Sequence, residues 1–367
     1  MWEERGGKIW GHVQPSASTQ PLARVVVALR KFTDDSSLVQ RARRHQHSLT
    51  QMPKNGESLE ALVARAAACV DTLELEEAVR LYGRARALAP DDVGVLDALA
   101  EAALQLGDEA TAREALLRAE ELAPEALAAR CMNLGQLADD GAAALRWFER
   151  GVRRLRAERA ALEQRSGDRA ELAAEWLTAT QSLASALCAA AELYMTDMCD
   201  EPEAEERCEA LATEAVGLVS GLDSQTLAEP YQTLASLRLS QQRPEEAHPL
   251  VRKALGVVND AEEGSGPSAD ARAAIAKLCM EVGESDDAVE LLQALRVEDE
   301  DSLEVWYLLG CAALQADELD VAAEEVAAAL AYAATDRCTD PNKGEWRVQL
   351  LELQGDVAQA QSSGGAS

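Results

Sequence analysis

The feature that most constrains this chain is an internal period. Ala78, Tyr82, Ala85 and Pro90 recur as Ala112, Leu116, Ala119 and Pro124, a shift of 34 at every position. Ala78, Tyr82 and Ala85 fall at i, i+4 and i+7, one face of a helix, and the proline closes the unit. Small residues on that face let the helix approach its neighbour closely.

The same frame carries forward with decreasing regularity. Cys131, Leu134 and Gly135 with Ala144, Phe148 and Gly151 give a third unit with a turn three residues shorter. In a fourth, less regular unit the pattern predicts a long first helix from Ala170 to Asp197 and a second from Pro202 to Val219. Tyr231, Leu234 and Ala235 with Ala247, Val251 and Ala254 give a fifth. Ile275, Ala276 and Cys279 with Ala288, Leu292 and Leu295 give a sixth. The seventh is the clearest: Trp306, Leu309 and Gly310 followed by Ala322, Val326 and Ala329. These residues resemble the tetratricopeptide repeat over about residues 57 to 335. The resemblance implies an all-α, right-handed superhelical solenoid of about seven helix pairs. After Pro341, Trp346, Leu350, Leu353 and Val357 share one face of a further helix, Glu345 to Gln359, which should cover the last repeat. The expected organisation is therefore a basic disordered extension (1–51), a solenoid (52–340), a capping helix (341–360) and a disordered tail (361–367).

Charge divides the chain in the same place. Residues 1–51 carry eight Lys or Arg against four Asp or Glu, a net +4, whereas residues 52–367 carry 27 against 61, a net −34. Met52 would make a sensible start, and a basic targeting arm including Arg41, Arg43 and Arg44 is the functional alternative for the extension. A whole-chain charge of −30 repels nucleic acid and anionic membrane and draws in basic partners.

Chemistry has few places to reside. One histidine, His248, lies in the repeats, and the eight cysteines form no Cys-x-x-Cys pair. Cys69, Cys279 and Cys311 fall at helix-packing positions, as expected of a reduced, intracellular protein. No phosphate-binding glycine loop is present, and Gly264 to Pro267 reads as a linker. The stretch Leu183 to Met195 is broken by Glu192 and is too short to span a membrane. The expectation is a non-enzymatic protein without metal or cofactor.

In tetratricopeptide arrays the first helix of each pair lines the concave face. The resemblance thus assigns Asp97, Glu101, Asp139, Glu192, Asp197, Glu229, Asp270, Glu281, Glu304 and Tyr307 to an acidic partner-binding groove, with Lys277 the lone base. Arg65 and Asn133 alone do not rebuild the carboxylate clamp that binds chaperone tails in other such arrays. Arg150, Arg153, Arg154, Arg156 and Arg159 read as a solvated face at the end of a helix, with a nuclear-import patch as the alternative.

One stretch is not generic. Leu193-Tyr194-Met195-Thr196-Asp197-Met198-Cys199-Asp200-Glu201-Pro202, continuing to Glu209, is similar to a hallmark of the dedicated assembly chaperones of the large-subunit ribosomal protein L-four. Gln232 to Ser236 and Ser240 to Ala247 extend the likeness. That resemblance implies a monomer that captures newly made L-four by its long basic loop and accompanies it from cytoplasm to nucleus. Within the hallmark, Glu192 to Asp197 is expected to line the groove, and Asp200 to cap the helix starting at Pro202. A general scaffold in a multiprotein complex is the competing reading.

Overall fold

The computed structural model describes residues 57–222, 227–261 and 266–364. The expected N-terminal extension, and Gly264 and Ser265 of the expected linker, lie outside the described residues. Fifteen helices and no strand occur among them: α1 (Leu59–Asp71), α2 (Leu75–Leu88), α3 (Val93–Leu106), α4 (Glu109–Leu122), α5 (Ala128–Gln136), α6 (Gly141–Gln164), α7 (Arg169–Met195), α8 (Ala204–Val219), α9 (Glu229–Ser240), α10 (Pro244–Asn259), α11 (Ala269–Glu281), α12 (Ser285–Glu298), α13 (Leu303–Gln315), α14 (Leu319–Ala333) and α15 (Lys343–Gly364). The final helix outruns its expected end, so residues 361–364 are helical. The chain divides into two compact units within α8, between Leu211 and Ala212.

Side-chain caps start many of the helices. Asp92, Asp108, Asp140 and Asp168 each accept a backbone N–H from the first turn that follows, and Ser58, Ser268 and Ser302 do the same. A share of the acidity is therefore spent on helix starts rather than offered to a partner.

The turns inside the pairs share one design. Leu73, Gly107, Gln242, Gly283 and Asp317 all adopt positive φ, between 59° and 86°. After each, the next N–H reaches back 2.8 Å to a carbonyl five residues earlier, as Asp108 does to Ala103 and Arg243 to Arg238. Only two of the five positions carry glycine, so the other three hold a side chain in the left-handed region.

In the first unit, successive helices pack side by side from α1 to α7. Its core gathers Leu62, Leu81, Leu96, Leu99 and Leu116 around alanines with no exposed surface, including Ala78, Ala85 and Ala112. The α6–α7 pair extends beyond the repeat frame, with Arg159 stacked on Trp176 at 4.9 Å and donating to Thr180 at 3.0 Å.

In the second unit, α9 to α14 form three further pairs, and α15 packs on both α13 and α14. Leu350, Leu353 and Val357 are buried there, as the sequence pattern predicts. A Cβ at Gly310 would stand 2.8 Å from Val326 and 3.0 Å from Leu353. Glycine at that position is what lets α14 and α15 close on α13.

Candidate partner-binding surface

The ten residues assigned to the groove do not share one fate. Asp97 is buried, 9% exposed, and Arg130 of α5 donates to both its oxygens at 2.7 and 2.8 Å. It is a structural ion pair linking consecutive first helices, not a free groove acid. Tyr307 is also buried: its ring lies 5.8 Å from that of Trp346 beneath α15, and burial pushes its phenol far up. Both corrections have one cause. The repeat frame fixes a position's angle around its helix but not the neighbour that covers it.

Asp139 lies in the α5–α6 turn rather than on a first helix, paired with Arg113 at 2.6 Å. Glu304 is held by Lys277 at 2.6 Å, so the lone base of the expected groove neutralises one of its acids. Glu101, Glu192 and Glu229 are half-buried and each is engaged by other groups. Asp197, Asp270 and Glu281 are exposed, and none of the three makes a side-chain hydrogen bond or ion pair with the described residues.

Acids also crowd the second helices. Asp286, Asp287 and Glu290 of α12 and Asp320, Glu324 and Glu325 of α14 exceed in number the acids on α11 and α13. Negative charge in the second unit thus surrounds the helix pairs instead of marking the first helices alone.

The hallmark residues build a joint. Tyr194 of α7 is buried; Arg207 of α8 lies 6.0 Å from its ring centre and donates to its hydroxyl at 3.2 Å. A Cβ at Gly141, the first residue of α6, would lie 2.7 Å from the Asp197 Cβ and 3.2 Å from the Met198 sulfur. Asp197 therefore sits against the start of α6, and its side-chain base is structural whatever its carboxylate meets. Asp200 does not cap α8. That helix begins two residues later than expected, after Glu203 at φ 63°.

The arginine cluster lies in the middle of α6, which continues to Gln164, not at a helix end. Arg154 is buried, gripping Glu120 at 2.5 and 3.2 Å and the carbonyls of Pro124 and Leu127. Arg150 reaches the same Glu120 at 2.9 Å. Arg154 is thus committed within the fold, while Arg153 and Arg156 of the same helix are exposed. Glu120 went unnoticed in the sequence, although an acid and an arginine 34 residues apart, like Asp97 and Arg130 at 33, are the signal of a charge pair one repeat apart.

Burial pushes the Cys131 thiol up to about 11 and those of Cys279 and Cys311 up to about 12, so they remain protonated packing groups at neutral pH. His248 contacts Glu284 at 2.8 Å on the surface. Among the described residues no group of three or more His, Cys, Asp or Glu is placed to hold a metal, and no helix is long and apolar enough to cross a membrane.

Comparison with known proteins fixes the family. Residues 238–310 match the tetratricopeptide repeat. A "Probable assembly chaperone of rpl4" from Schizosaccharomyces pombe is 34% identical over 245 residues, covering 65% of this chain and 68% of that protein. The chain belongs to the rpl4 assembly chaperone family. A second member, from Emericella nidulans, is 30% identical over 275 residues, covering 70% of this chain and 65% of the relative. The solved structure of an assembly chaperone of RpL4 (Acl4), residues 1–338, matches with a TM-score of 0.64 and 31% identity, covering 73% of this chain and all of that one. The fold is thus the tetratricopeptide-repeat fold of this family, and the hallmark from Leu193 to Glu209 is a joint within it.

Proposed function

We propose that this chain is a dedicated chaperone of ribosomal protein rpl4, which it holds when newly made, keeps from aggregating and escorts to large-subunit assembly. The observation that carries the reading is the likeness to relatives named for that role, over about two thirds of their length. Charge supports it independently. A basic ribosomal protein without its RNA attracts polyanions and aggregates, and a surface as acidic as this one offers competing charge while repelling RNA.

The rpl4 side of the complex is a basic segment, its long internal loop, and the chaperone side is the acidic surface of each unit, including Asp197, Asp270 and Glu281. The chaperone acts as a monomer, without direct nucleic-acid contact, and travels between cytoplasm and nucleus. The reading is tested by producing rpl4 with and without this chain and measuring the soluble fraction. It expects rpl4 to be soluble in a one-to-one complex only in the chain's presence. Equal solubility in both cases would contradict it.

A further inference from the structure

An open groove of about 400 Å3 lies between α9 and α10, away from every acid assigned to the concave face. Leu234 and Arg238 of α9 line one side. Glu245, Glu246, Pro249, Leu250 and Lys253 of α10 line the other. At about 100° per residue, Leu250 stands on the opposite side of α10 from His248 and Arg252, which meet Glu284 and Asp287 at the start of α12. The groove thus belongs to the flank of α10 that the next helix pair leaves open.

Its centre is apolar and its charges are mostly spent. Leu234, Leu250 and Pro249 supply the apolar surface. Arg238 donates to Gln241 at 2.7 Å and lies 3.4 Å from Glu246, which also accepts from Arg243 at 2.6 Å. Lys253 stands 5.4 Å from the centre of the Tyr231 ring. Glu245 is the exception: it is exposed, and its side chain makes no hydrogen bond or ion pair with the described residues.

Pro249 adds a second free acceptor at the same end. It is the sixth residue of α10, beyond the first turn where a helix tolerates proline. A proline has no N–H, so the Glu245 carbonyl loses its usual helical donor. Proline is the least favourable residue in a helix interior, yet here it walls the groove.

We propose that this groove seats one bulky aliphatic or aromatic side chain of rpl4, with an adjacent cation of rpl4 meeting Glu245. This rests on the function proposed above. Two acids and two bases line the groove, so its centre favours neither sign of charge, and its apolar surface gains by exclusion of water. A cation belongs at the Glu245 end, because Lys253 lies eight residues along α10, about 12 Å away, and repels it from the other. An apolar anchor ringed by polar groups is how interfaces concentrate their affinity. Salt does not screen such a contact, so it sets rpl4 apart from other basic proteins when charge attraction is weakened.

The test titrates purified rpl4 into the full chain, Leu250→Gln and Pro249→Ala over a series of salt concentrations, with Leu351→Gln on the outer side of α15 as the control for loss of exposed apolar surface. Leu250→Gln and Pro249→Ala are expected to bind about threefold to tenfold more weakly at every salt concentration, with the slope of log affinity against log salt unchanged. Pro249→Ala should also melt at the same or a higher temperature, and Leu351→Gln should change affinity by less than about twofold. Undiminished affinity in Pro249→Ala, with firm binding by the unsubstituted chain, would overturn the inference alone. So would a loss that disappears at high salt, an equal loss in Leu351→Gln, or a lowered melting temperature in Pro249→Ala, which would make that proline a structural group. Failure of the unsubstituted chain to bind rpl4 would overturn the function reading and this inference with it.

Discussion

Arg130 holds Asp97 through two parallel hydrogen bonds at 2.7 and 2.8 Å, with the arginine side chain 3% and the aspartate side chain 9% exposed. The pair joins the first helices of consecutive repeats, and Arg130 also donates to the Ala123 carbonyl at 2.9 Å. Removing one partner of a buried pair leaves the other charge uncompensated, at a cost of about 3–5 kcal/mol. Asp97→Ala should therefore lower unfolding free energy by that amount in urea titration. Asp270→Ala should change it by less than about 0.5 kcal/mol. Equal, small effects would mean that Asp97 is the surface acid that its repeat position suggests.

Gly141 has no room for a methyl group. Its Cβ would press on the Asp197 Cβ, a short rigid atom that cannot rotate away, and on Met198. Gly141→Ala should cost about 1–3 kcal/mol despite alanine's better helix propensity. Stability equal to or above that of the unsubstituted chain would show that the hallmark turn does not press on α6.

The repeated left-handed turn gives a stabilising substitution. Gln242 sits exposed at φ 59°, where a side chain costs about 1 kcal/mol, while its neighbour Gln241 is at φ −78°. Gln242→Gly should raise the melting temperature and Gln241→Gly should lower it. A loss of stability in both would remove the strain argument.

On α15, Leu353 is 6% exposed against Gly310 and Leu351 is 54% exposed on the outer side. Leu353→Ala should cost about 2–4 kcal/mol and Leu351→Ala less than about 0.5 kcal/mol. Chemical denaturation of the two variants checks whether α15 closes the last repeat through that face.

The fold was legible wherever burial repeats with the period. Ala78, Ala112, Ala247 and Ala322 sit with no exposure at the second-helix positions that the 34-residue frame marks. The capping face of Leu350, Leu353 and Val357 was readable from helical spacing alone. The binding surface was less so, because exposure depends on the partner across the gap. Asp97 and Glu304 occupy outward positions in the frame, yet one is clamped by Arg130 and the other by Lys277. Tyr307 looked outward until α15 covered it. The fourth unit escaped in detail because the αL residue at Glu203 delays α8, a backbone choice that no side-chain pattern announces.

The central claim is electrostatic capture of one basic ribosomal protein, and titration calorimetry of the full chain with purified rpl4 over a series of salt concentrations tests it most directly. The account predicts a one-to-one complex whose affinity falls steadily as salt rises, and much weaker binding of an unrelated basic protein of equal charge. Absence of binding at low salt, or equal affinity for both proteins, would contradict it.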